Sequence, residues 1–94
     1  MATEAYISAE VVFSDQPVED VIAVTLYDAD SEAPHGALTT HHPLEEGARG
    51  PLLITGTRDG HRWRVTLPEI EVCRRTPVGC EYTIFGTVHR ERIE

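Results

Sequence analysis

The sequence predicts an all-β fold: a small antiparallel β-sandwich of six to seven strands, with a small β-barrel as the alternative architecture. Three observations carry this prediction. Apolar residues recur at a period of two in one run after another. β-branched residues dominate those runs, which favours strand over helix. Turn-forming residues separate them, and no useful length of chain carries a 3.6-residue apolar stripe. Short strands punctuated by turns make a sandwich or a barrel. At 94 residues the chain has room for one hydrophobic core, so it reads as a single domain over 1–94.

In the first run Ile7, Ala9, Val11 and Phe13 share one face. Ser14–Asp20 follows as a turn-rich segment with Pro17 in it. In the next run Ile22, Val24 and Leu26 alternate with Ala23, Thr25 and Tyr27. From Asp28 to about Pro51 the alternation stops, and Pro, Gly, His and acidic residues accumulate. So long a connection is unusual in a compact chain. It holds either a short strand around Gly36–His41 or a functional loop. Order returns at Pro51–Thr55, and Asp59-Gly60 suits a tight hairpin. Trp63, Val65 and Leu67 then face inward against Arg62, Arg64 and Thr66, with Ile70 and Val72 continuing the run. After a turn at Thr76–Gly79, Tyr82, Ile84 and Val88 oppose Glu81, Thr83, Phe85 and Thr87. No internal repeat is visible.

Charge excludes some functions. Sixteen acidic residues face eight basic ones, for a net charge of −8. Every basic residue is Arg; Lys and Asn are absent. Such a chain repels a phosphate backbone, so no nucleic-acid partner is expected. No run approaches the ~20 apolar residues of a membrane helix, and the opening MATEAYISAEVVF lacks the basic flank of a signal peptide. The expectation is a cytoplasmic chain without a membrane partner. Cys73 and Cys80 match no zinc-ribbon or Cys-x-x-Cys spacing. The turn between them lets them face each other across a hairpin, and free thiol or disulfide both stay open.

Two segments resemble the prealbumin-like (Ig-like) sandwich modules, which include carboxypeptidase regulatory-like and Cna B-type domains. One is Gln16-Pro17-Val18-Glu19-Asp20-Val21 running into Val24-Thr25-Leu26-Tyr27-Asp28. The other is Thr57-Arg58-Asp59-Gly60, the strand to Leu67-Pro68, then Pro77-Val78-Gly79 and Tyr82-Thr83-Ile84. Cys80 and Glu81 lengthen the step from Gly79 to Tyr82 relative to the family pattern. Tyr82 at a strand entry is expected to bury its ring and bond a corner backbone group. The resemblance implies a spacer or binding platform. The internal Lys–Asn amide of Cna B-type domains is chemically impossible in a chain without Lys.

The candidate chemistry centres on His35, His41 and His42, near Asp28, Asp30, Glu32, Glu45 and Glu46. Imidazole with carboxylate suits a divalent metal such as zinc. Pro34-His35-Gly36 before His41-His42 resembles the first cupin motif, but the His-x-His spacing and a second-motif histidine are missing. Leu38-Thr39-Thr40-His41 resembles the opening of the transthyretin-related hydrolases, yet the chain ends His89–Glu94 without their closing sequence. Asp28–Glu32 fails the EF-hand pattern, with Ala33 at the glycine position and Thr39 at the bidentate acid. Arg58, Arg62 and Arg64 cluster around a hairpin, for cross-strand pairing with Glu or for docking an acidic partner. Ser8, Ser14 and Ser31 lack the setting of a nucleophile. With no complete catalytic set, the expectation is a non-enzymatic structural or protein-interaction module, an accessory part of a larger assembly. It would bind another protein or itself through a sheet edge or the 28–51 loop, without a cofactor. The alternative is a small metal-binding protein or hydrolase using the 35–42 histidines.

Overall fold

The computed structural model describes residues 3–27 and 31–94. Eight strands follow in order: β1 (Thr3–Phe13), β2 (Gln16–Val18), β3 (Val21–Tyr27), β4 (His35–Thr40), β5 (Arg49–Arg58), β6 (His61–Thr76), β7 (Gly79–Phe85) and β8 (His89–Arg92). The all-β class stands, and of the two architectures the barrel is the one formed. Strands pair antiparallel in the order β1-β3-β4-β7-β6-β5, and β5 returns to β1. β2 occupies the same edge of β1 as β3 does, and β8 the same edge of β6 as β7 does. Each is therefore an extension of its neighbour.

Two three-stranded meanders, β1-β3-β4 and β5-β6-β7, meet first strand to first and last to last. Two tight turns set their hairpins. Asp59 and Gly60 have φ of 52° and 78°, and Ser14 and Asp15 have 49° and 64°. Positive φ at both central positions is what a two-residue type I′ hairpin needs. The stretch from residue 28 to 51 is not one long loop, because it contains β4, on which Gly36, Leu38 and Thr40 point inward.

Bulges decide which residues fill the barrel. Between the pairs Ile7–Thr57 and Glu10–Thr55, β1 takes one more residue than β5. Ser8, at φ 50°, is the bulged residue. The extra residue flips the parity: Tyr6, Ala9 and Val11 are buried, while Ile7 is 58% exposed. A second bulge at Ile22, between the pairs Val21–Thr40 and Ala23–Thr39, leaves that side chain 50% exposed. The inward placement expected for Ile7 and Ile22 is thus corrected, whereas Val24, Leu26, Val65, Leu67, Ile70, Val72, Tyr82 and Ile84 are inside as expected, with a further register shift against β5 accommodating the change of parity between Leu67 and Ile70.

The interior is aliphatic apart from Tyr6, Tyr82, Cys80 and the buried Thr40. Tyr82 lies across Gly36, its partner on β4; a Cβ there would come within 2.6 Å of the ring, so glycine makes the space. The ring is buried as expected, but the hydroxyl has no hydrogen-bond partner among the described residues. Burial pushes the phenol pKa up. The corner bond expected for Tyr82 does not form. Cys80 points inward and Cys73 outward at a β6 bulge, its thiol donating to the Glu81 carbonyl at 3.4 Å. Both are free thiols on opposite faces of the ladder.

Candidate interaction surface

The structure disperses the predicted metal ligands. His35 begins β4 and His41 follows its end, so the length of the strand, roughly 20 Å of chain, separates them. His35 stacks on Tyr27 with ring centroids 5.1 Å apart. His42 sits 3.6 Å from the Asp20 carboxylate, and both are largely exposed. Among the described residues no three His, Cys, Asp or Glu side chains gather as a metal site. Asp28 and Asp30 of the same reading lie outside the described residues.

Of the three arginines, two share a strand face as expected and the third is set apart. Arg62 and Arg64 face outward from β6. The Arg62 guanidinium donates to the Ser8 carbonyl and to Thr57 Oγ1, each at 3.0 Å, which satisfies the carbonyl freed by the bulge. Arg64 reaches Glu91 at 3.6 Å. Arg58 instead turns into the barrel mouth, which alters the single docking cluster read from the sequence.

That mouth is built where β1 and β5 part. Below the Ile7–Thr57 pair the two strands no longer bond, and side chains span the seam. Glu4 accepts from Arg58 Nη1 at 2.6 Å, and from Arg90 Nε and Nη2 at 2.6 and 2.7 Å. The Tyr6 hydroxyl donates to it at 2.8 Å. The Arg58 guanidinium stacks over Trp63 at 4.5 Å and over Tyr6 at 5.3 Å. Burial alone would raise the Glu4 carboxyl. The hydrogen bonds from Arg90 and Tyr6 and the two guanidinium charges outweigh it and hold the carboxyl below its usual range. Burial and the Glu4 carboxylate push the Tyr6 phenol up to about 12. No sequence signal marks this network, because Glu4, Arg58 and Arg90 are far apart in the chain and only closure of the barrel joins them. Its two guanidinium groups already hold a carboxylate, so it serves to close the structure.

The feature that stands out is on the outside. Outward positions of β1, β3 and β4 form cross-strand rows: Ala37–Thr25–Ala5, Thr39–Ala23–Ile7 and His35–Tyr27–Thr3. None of these nine residues is Asp, Glu, Lys or Arg. The second row runs on to Thr57 of β5, and Ile22 stands beside it. At strand spacing and rise these rows cover on the order of 300 Å². In a chain of charge −8, this face carries no charge in its three rows and leaves Ile7 and Ile22 exposed beside one another. The six barrel strands pair on both edges, so a sheet edge is left only at the short extensions β2 and β8, each of which pairs with one strand.

Two concavities border this face. A groove of about 440 Å³ opens at the seam between Ala5, Ile7, Thr57 and Arg58. A second, of about 420 Å³, lies where β2 breaks from β3, over Val12, Val18 and Val21 with Glu10 and Asp20 at its lips. The break arises because the chain takes five steps from Val18 to Ala23 against four on β1. No protein-family model matches the chain, and no curated protein or solved structure does either, so nothing bears on the resemblance to prealbumin-like modules. No helix among the described residues is long and apolar enough to cross a membrane.

Proposed function

We propose that this protein is a non-enzymatic interaction module that docks a protein of a larger assembly on the outer face of β1, β3 and β4. The observation that supports the reading is the uncharged row Thr39–Ala23–Ile7 with Ile7 and Ile22 half exposed beside it. Each isoleucine covered by a partner contributes about 1–2 kcal/mol of hydrophobic stabilisation, whereas single polar positions around it contribute little. The face, and neither a strand edge nor the 41–48 connection, is the contact.

Photocrosslinking in the native cell tests this. A benzoyl-phenylalanine at Thr25 gives discrete adducts, one at Glu46 in the connection before β5 does not, and adding Ile7→Glu removes the Thr25 adducts without moving the thermal midpoint by more than a few degrees. Adducts from Glu46 with none from Thr25 would move the contact to the connection and overturn the assignment.

A further inference from the structure

We infer that the partner is a basic protein surface that places a Lys or Arg side chain in the groove between β1 and the β2–β3 break; the inference rests on the docking face proposed above and specifies its occupant. All eight Arg of the chain lie at or after Arg49, and residues 1–48 carry ten of the sixteen acidic residues with no cation. Five of these eight Arg are paired with carboxylates of the chain itself. Arg49 meets Glu69 and Glu71, Arg64 meets Glu91, Arg74 meets Glu81, and Arg58 and Arg90 hold Glu4. The acids around the docking face have no such partners on their own half: Glu10 lies on β1 and Glu19 and Asp20 in the turn before β3, all exposed. Among the described residues the Asp20 carboxylate meets only His42, at 3.6 Å.

The groove has the shape chemistry of a long cationic side chain. Its floor of Val12, Val18 and Val21 suits a methylene stem, and the Glu10 and Asp20 carboxylates at its lips suit the charged head. A second copy of this chain fits poorly. Face against face it sets acid on acid, since Glu10, Glu19 and Asp20 of one copy would meet the same residues of the other.

The test uses the full chain and the Thr25 photocrosslinker, with the crosslinked peptide sequenced. The expected adduct is to a different polypeptide at a Lys- or Arg-bearing segment. Its yield falls at least fivefold in Glu10→Gln/Asp20→Asn and on raising the salt, and stays unchanged in the control Glu71→Gln. An adduct to a second copy, or one indifferent to salt and to the double variant, overturns the basic partner while leaving the docking face intact. Complete absence of Thr25 adducts instead defeats the docking face itself.

Discussion

Glu4 shows how one side chain carries a closure. It accepts two hydrogen bonds from Arg90, one from Arg58 and one from Tyr6, while keeping only 14% of its side-chain surface exposed. An ordinary Glu titrates at about 4.3. With the folded carboxyl held lower, the unfolded chain binds the proton first as the pH falls. The stability from this group is therefore present in full above that ordinary value, and is lost as the pH drops through the folded one. Glu4→Gln leaves two guanidinium groups without their anion. It is expected to cost about 2 kcal/mol at pH 7, below the figure for a wholly buried pair because all three side chains keep some solvent. It should also flatten the fall of the urea midpoint between pH 5 and pH 3. An unaltered acid slope in the variant would assign the acid sensitivity to other carboxylates. Tyr82 is the converse case, a hydroxyl that the barrel buries and leaves unbonded.

At the level of elements, the bulges do more than the strands to shape the surface. A regular β1 would hold one parity throughout and could not bury both Tyr6 and Ala9. The left-handed residue at Ser8 shifts the parity and sends Ile7 outward, and Arg62 takes up the carbonyl so released. A β-branched side chain tolerates that conformation badly. Ser8→Val is expected to lower unfolding free energy by about 2 kcal/mol, while Ser8→Gly stays within about 0.5 kcal/mol of the parent, both by urea denaturation. A Ser8→Val variant as stable as the parent would show that β1 re-registers without loss.

For the whole molecule, closure is the property that matters. β4 bonds β3 on one edge and β7 on the other, so it holds the two meanders together along one seam as β1–β5 does along the other. Removing residues 35–40 opens that seam and strips Leu38 and Gly36 from around Tyr82. The expected result is loss of cooperative unfolding and of the near-ultraviolet signal of Trp63. A cooperative transition surviving the deletion would mean that the stretch is dispensable. Deletion within the 28–51 stretch is therefore a test of folding and not of binding.

Much of the fold was legible because alternation survives wherever a strand is regular. Val24, Leu26, Val65, Leu67, Tyr82 and Ile84 were readable as core from their spacing, and Asp59-Gly60 as a turn from its chemistry. β4 was obscured because its inward residues are Gly36, Leu38 and Thr40, of which only Leu38 gives an apolar signal. Ile7 and Ile22 were misplaced because a bulge is a disagreement in length between two paired strands, and neither strand records it alone. For the same reason the uncharged outer face was hidden: its rows draw each residue from a different strand. The sequence by itself determined that the chain is all-β, single-cored and acidic, since these depend on local periodicity and composition. Tertiary structure alone decided between sandwich and barrel, dispersed the three histidines, and joined Glu4 to Arg58 and Arg90. Those outcomes depend on register and closure, which come from the pairing of residues distant in the chain.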